Sequence, residues 1–358
     1  MSVVRVGLIG YGYASKTFHA PLIAGVPGLQ LTAVSSSDAA KVHADWPGLP
    51  VEPDAQGLIA RADVDLVIVP TPNDTHHALA KAALLAGRHV VVDKPFTVTL
   101  AEARELDTLA RAQQRLLSVF HNRRWDADFL TLQGLLGSGL LGRVVHFESH
   151  FDRYRPQVRD RWREQAGNGG GLWYDLGPHL LDQALQLFGQ PEAIWLDLAL
   201  QRDGARTDDC FHAQLRYGGL HQGLRVILHA SALVPAVGPR FTVHGTLGSF
   251  VKHGLDTQED RLKAGERPQL QALGDWGRDP HDGVLTLPGT ETGAEGTQQR
   301  PTVPGNYLAY YAAVRDAILR GLPNPVPAAQ AMQVMALIEA GLRSHAERRE
   351  MPVPRPAP

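Results

Sequence analysis

Through the first 120 residues, short unbroken apolar runs alternate with stretches whose apolar residues recur every three or four positions. The runs fall at 3–9, 29–34, 65–69, 89–94 and 116–120. Such runs mark strands buried on both faces. The stretches between them read as helices: one carries Phe18, Leu22 and Ile23, another runs to about Ala86 before Gly87, and a third covers 100–114. Strand–helix alternation of this kind predicts a doubly wound parallel sheet. From residue 121 the texture changes. An amphipathic helix at about 126–138 precedes strands of period two at 144–151, 194–200, 211–217, 223–230 and 240–244. Strands following one another directly predict a large, mostly antiparallel open sheet, one face apolar and the other free for a partner subunit. Before its second strand a helix is expected from near Gly177, since Pro178 suits a first turn, to Gly189. The Gly/Pro/Gln-rich run near 264–305 reads as a solvated excursion. Two helices, 307–319 and 328–346, follow, the last expected to pack back on the first domain. The division expected is 1–121, 122–350 and a disordered tail at 351–358.

Composition narrows the function. A chain of 358 residues with 44% apolar and 20% charged residues is an ordinary globular protein with room for two domains. Thirty-five Lys and Arg against 37 Asp and Glu give a net charge of −2, so no basic field exists for nucleic acid or an anionic membrane. The start lacks a signal-peptide layout, and no apolar run reaches membrane-spanning length. Cys210 stands alone, which excludes an internal disulfide and suits the cytoplasm. A small-molecule partner remains.

Candidate chemistry sits where strands end. Gly10-Tyr11-Gly12-Tyr13-Ala14-Ser15 links the first strand to a helix, the context in which G-x-G cradles a dinucleotide pyrophosphate. Ser15 stands where that pattern has Gly or Ala, which should set helix and strand slightly further apart. The second strand ends in Ser35-Ser36-Ser37-Asp38. Serines leave room for a 2′-phosphate and favour NADP over NAD, although the nearest cation is Lys41. The third ends in Pro70-Thr71-Pro72-Asn73-Asp74-Thr75-His76, where His76 and His77 read as helix-surface residues rather than metal ligands. Val90-Val91-Val92-Asp93-Lys94-Pro95 sets a carboxylate and an amine at the carboxyl end of a buried strand, where ligands of open α/β sheets bind. Further on, Tyr174-Asp175-Leu176-Gly177-Pro178-His179 places a carboxylate four residues before a histidine. In a first helical turn that histidine would be kept neutral and fit to act as a base.

These motifs resemble the Gfo/Idh/MocA (glucose–fructose oxidoreductase / inositol dehydrogenase) family over essentially the whole chain. Its Glu-Lys-Pro appears as Asp93-Lys94-Pro95, and its Asp-x-x-x-His pair falls on Asp175 and His179. His121-Asn122-Arg123-Arg124-Trp125-Asp126, Tyr154-Arg155-Pro156 and Arg161-Trp162-Arg163-Glu164 look like the branch containing NADP-dependent scyllo-inositol 2-dehydrogenase. The resemblance implies an N-terminal Rossmann domain followed by an α+β domain, with Lys94, Asp175 and His179 catalytic. It implies a cofactor, NADP in preference to NAD, over Gly10, Tyr11, Gly12, Tyr13, Ser15, Ser35, Ser36, Ser37, Thr71, Pro72, Asn73, His76, Asp93 and Lys94, and a cis Lys94–Pro95 bond. Asn122, Arg124, Tyr154, Trp162 and Arg163 are the candidates for holding a polyol or sugar. No metal is expected, and a homodimer or homotetramer through the open sheet is. Two other readings stand beside this one: a catalytically silent NAD(P)-binding regulator, and a metal-dependent hydrolase or isomerase using Asp175, His179 and Asp182.

Overall fold

The structure, a computed structural model, describes residues 3–167, 169–289 and 296–353. The chain divides into two compact units, each assembled from three segments. The first takes Met1–Trp125, Thr257–Gly277 and Asn306–Met332, and the second takes Asp126–Asp256, Arg278–Gly305 and Gln333–Pro358.

In the first unit the apolar runs form β1 (Val4–Ile9), β2 (Leu29–Ser35), β3 (Val51–Glu52), β4 (Leu66–Val69), β5 (His89–Asp93) and β6 (Leu117–Phe120). All pair in parallel, in the order β3-β2-β1-β4-β5-β6. Strand order reverses between β1 and β4, and such a switch point opens a crevice beyond the carboxyl ends of the strands. Helices α1 (Ala20–Ala24), α2 (Ala39–Asp45), α3 (Ala55–Ala60), α4 (His76–Leu85) and α5 (Leu100–Ala112) follow the strands in turn. Their starts are set by local chemistry: Asp38 caps α2, Asp54 caps α3, and Thr99 with Glu102 forms a capping box on α5.

The second unit holds α6 (Ala127–Gly137), β7 (Val144–His150), α7 (Leu172–Phe188), β8 (Ala193–Ala199), β9 (Cys210–Arg216), β10 (Arg225–Ser231), β11 (Phe241–Gly245) and β12 (Ser249–Lys252). Buried and half-buried residues alternate along β9 and β10, so one sheet face meets the helices and the other stays open. The full sheet has nine strands, antiparallel throughout except for the pair β7 and β10.

Three parts of the chain depart from the sequence reading. The run at 264–305 is no solvated excursion. After α8 (Gln258–Lys263), part of the first unit, it supplies β13 (Gly283–Leu287) and β14 (Gly296–Arg300) to the second sheet. Asp279 there is fully buried and 2.7 Å from the Lys252 ammonium. Residues 290–295 lie outside those described. The helix that joins the first unit is α9 (Leu308–Arg320), whose Tyr310 hydroxyl donates to Ser118 on β6 at 2.9 Å. From Gln333 onward, α10 (Ala328–Glu347) belongs to the second unit. A Cβ on its Gly341 would lie 2.9 Å from the Trp173 ring and 3.0 Å from Leu196, so glycine there lets α10 sit close on α7 and β8. Met351 and Pro352, expected in a disordered tail, form β15 against β8, and the Val353 amide donates to the Glu192 carbonyl at 2.9 Å, while residues 354–358 lie outside those described. No periodic pattern precedes so short a strand, and its neighbour supplies the pairing. Among the described residues, no helix is long and apolar enough to cross a membrane.

Candidate active site

Past the end of β1 the chain turns at Gly10 with φ +78°, a conformation that L side chains rarely adopt. The Gly10 amide donates to the Ser35 carbonyl at 2.9 Å and lies 3.2 Å from its hydroxyl, while the Gly10 carbonyl accepts from the Ser15 hydroxyl at 2.8 Å. Ser15 is therefore accommodated by a bond across the loop. A Cβ on Gly12 would meet nothing within 4 Å, so packing does not require glycine there. That open backbone is what a pyrophosphate needs. The residues fit a dinucleotide. Tyr11 is buried, donating to Asp45 and accepting from the Trp46 indole, both at 2.9 Å, and burial with Asp45 pushes its pKa up. Tyr13 is exposed, its hydroxyl 3.3 Å from Glu259. The Ser36 hydroxyl accepts from the Asp38 amide at 3.1 Å, and Ser37 is exposed.

The loops after β4 and β5 are tied together. Asn73 is buried at the start of a single turn, and the Thr75 hydroxyl donates to the Pro72 carbonyl at 2.7 Å. His76, expected on the helix surface, is fully buried, its ring nitrogens each 2.9 Å from a carbonyl oxygen, of Thr71 and of Pro95. Burial lowers its pKa against the opposing pull of Asp93 and the carbonyls. His76 thus joins the Thr71-Pro72-Asn73 segment to the turn after Lys94 and has both ring nitrogens engaged. Its helical position gave no sign of this, because one of the carbonyls that holds it, that of Pro95, comes from the turn after β5, 19 residues further on.

The Lys94–Pro95 bond is cis. Asp93 beside it accepts from the Lys94 amide at 2.7 Å and faces His19 at 3.6 Å, an ion-pair separation rather than a hydrogen bond. Burial alone would raise this carboxyl; His19, then Lys94 and His76, outweigh it and hold Asp93 at about 2. Behind His19, its Nδ1 lies 2.5 Å from the Tyr311 hydroxyl on α9. Neither His19 nor Tyr311 was marked by any local motif.

In the second unit, α7 begins at Leu172, earlier than Pro178 suggests. Two features extend it. Gly171 takes φ +92°, and a Cβ there would lie 2.0 Å from an Asp208 carboxylate oxygen. That close approach lets Asp208 accept from the Trp173 amide at 2.6 Å and close the helix end from a distant loop. Burial pushes the Asp208 carboxyl up to about 6. Asp175 and His179 consequently share one face of a continuous helix. His179 is buried and well past the first turn, so the field of the helix end does not reach it as expected. Arg163 stacks 4.5 Å over the Trp162 ring and sets its Nε 3.5 Å from Asp175. These three residues line or flank a pocket walled also by Arg153, Arg155 and Arg202.

The remaining candidates are placed differently. Asn122 is buried in a short turn of the first unit. Arg124 is buried and donates to Gln330 at 2.6 Å and to the Pro325 carbonyl at 3.4 Å. Tyr154 is exposed and bridges to Leu233 through its backbone.

Comparisons with known proteins show the fold and the family. Residues 4–121 match the model of an oxidoreductase family's NAD-binding Rossmann fold, and residues 133–354 match that family's C-terminal alpha/beta domain. The chain is 62% identical to the uncharacterized oxidoreductase YdgJ of Escherichia coli (strain K12), over 95% of this chain and 96% of that one. It is 38% identical to the scyllo-inositol 2-dehydrogenase (NADP(+)) IolW of Bacillus subtilis (strain 168), over 98% and 96%. The solved structure of YPO2259 from Yersinia pestis superposes with a TM-score of 0.93 at 58% identity, covering 99% of each chain.

Proposed function

Because the chain belongs to the Gfo/Idh/MocA oxidoreductase family, we propose that it is an NAD(P)-dependent dehydrogenase interconverting a secondary alcohol and a ketone on a cyclic polyol or sugar of the inositol kind. The observation that carries this reading is the pairing of Asp175 and His179 on one face of α7, with Arg163 and Trp162 beside Asp175. Support for the substrate comes from the relative named for scyllo-inositol, and for NADP from the same name and the serines ending β2.

When bound, the nicotinamide dinucleotide supplies the hydride acceptor. The Gly10–Ser15 loop holds its pyrophosphate, and Ser35 to Ser37 with Thr71, Pro72 and Asn73 line its path. His179 accepts the proton of the substrate hydroxyl. Lys94 donates a hydrogen bond to the same oxygen and stabilises the developing alkoxide. Asp175 orients His179 and favours its protonated form. Trp162, Arg163, Asn122 and Tyr154 are proposed to meet the other hydroxyls. The working form is a cytoplasmic homodimer or homotetramer joined through the open face of the second sheet.

Steady-state rates with NADP and NAD against inositols and aldoses test the activity. His179→Ala is expected to lower kcat by about 10²–10⁴ while cofactor Kd stays within about threefold. Lys94→Ala should be as damaging, and the double variant no worse than the product of the singles and typically better, as for groups acting on one atom. Near-normal turnover by His179→Ala overturns the assignment. NADPH binding without turnover on any polyol points to a silent regulator instead.

A further inference from the structure

On its open face the second sheet carries an unusual concentration of imidazoles. His146 and His150 stand on β7, His229 on β10, His212 on β9 and His244 on β11, each half-buried or exposed. Registry brings them together: His229 pairs with His150 on one side and with His212 on the other. Their rings lie 5.2 and 5.7 Å apart, centre to centre. Just past β7, Asp152 turns its carboxylate into this group, steadied by the Ser231 amide at 3.0 Å.

We propose that His150, Asp152 and His229 form a binding site for a divalent transition-metal cation, with zinc the fitting occupant. One ligand atom from each lies within 4.8 Å of the others. The Asp152 carboxylate oxygens are 3.3 Å from His150 Nδ1 and 3.5 Å from His229 Nε2. These separations are long for charge-assisted hydrogen bonds, which close to about 2.7–2.9 Å. The first runs to Oδ2 and the second to Oδ1, and both lie close to the spacing of about 3.3–3.4 Å between ligand atoms around a tetrahedral zinc with bonds of about 2.0–2.1 Å, so that a carboxylate set between the two imidazoles can share a cation with them. Two imidazoles and one carboxylate also make a donor set that zinc accepts with a fourth position for water or, in the proposed oligomer, for a donor of the partner subunit.

The surroundings have the form of an outer shell. The other ring nitrogen of His150 faces Glu148 at 3.3 Å, and His146 holds that same carboxylate at 2.8 Å. A carboxylate behind a ligating imidazole fixes its tautomer and raises its basicity. Asp152 and Glu148 bring two carboxylates to the group, the kind of acceptor charge that a divalent cation balances. All three donors come from one chain, and the assignment is independent of the proposed dehydrogenase chemistry.

The test uses the full, tag-free chain after chelator treatment. Titration with cobalt(II) should give a saturable visible band of tetrahedral intensity at one equivalent per chain, discharged by zinc. Calorimetry with zinc should show saturation at one equivalent per chain. His150→Gln, Asp152→Asn and His229→Asn are each expected to weaken zinc binding by about 100-fold or more, and Glu148→Gln by about tenfold. His43→Asn, far along the chain on α2, should bind as the parent does. Thermal unfolding in chelator checks that each variant folds, and only the parent, His43→Asn and, more weakly, Glu148→Gln should gain Tm on adding zinc. Absence of saturable binding, or binding that survives in all three ligand variants, overturns the proposal.

Discussion

Asp93 and Asp175 each stand beside a residue proposed to handle the reacting oxygen, and the two carboxylates are held in opposite ways. Asp93 ends a buried strand, takes its neighbour's backbone amide at 2.7 Å, and is held ionised by buried histidines. Asp175 lies on a helix face at the edge of a pocket, 3.5 Å from an arginine that is itself partly exposed. The first is a preorganised anion, fixed by the packing of four separate segments. The second can change partners when a substrate arrives.

Substitutions at four positions break or sharpen that contrast. Asp93→Ala leaves His19 facing an emptied, buried position, and removing one partner of a buried pair costs about 3–5 kcal/mol; urea unfolding should show it. The pH dependence is the sharper form. A carboxyl held near 2 instead of its ordinary 3.8 stabilises the fold fully above pH 4 and loses that contribution as pH falls through 2. The stability difference between parent and Asp93→Asn should therefore shrink as pH falls from 4 towards 2. A constant difference would show that charge is not what holds Asp93.

Asp208 carries the opposite sign. Its carboxyl, pushed up to about 6, adds stability below pH 4 that is lost as pH rises through 6, roughly 3 kcal/mol in all. Asp208→Asn can still accept from the Trp173 amide without carrying a buried charge. It should flatten the stability profile between pH 4 and 6 and match or exceed the parent at pH 8. Ser15→Ala removes the bond to the Gly10 carbonyl and should cost about 1 kcal/mol, with cofactor affinity, followed by NADPH fluorescence, reduced only a few-fold. Arg163→Ala should be smallest in stability, under about 1 kcal/mol, because its pair with Asp175 is loose and partly solvated. Its effect belongs in KM for the polyol. A loss of stability as large as that of Asp93→Ala would erase the contrast.

Much of this was readable from the chain. Gly10, Lys94, Asp175 and His179 stood out as candidates because each lies in a local context, a strand end or a helical spacing, that few other roles explain. The same locality misled at Pro178, where a proline fit for a first turn hid a helix begun at Leu172, and at His76, where a surface spacing hid a buried clamp. Asp208 and Tyr311 carried no signal, since neither is near in sequence to what it supports.

The order of apolar and polar residues thus determined two sheets of different kinds and the points at which chemistry emerges from them, because strand burial and helical periodicity are properties of neighbours along the chain. Only tertiary packing decided which carboxylate is ionised, where α7 starts, and that late segments return to complete the first unit. Those outcomes depend on desolvation and on partners dozens to hundreds of residues away, and no local pattern encodes either.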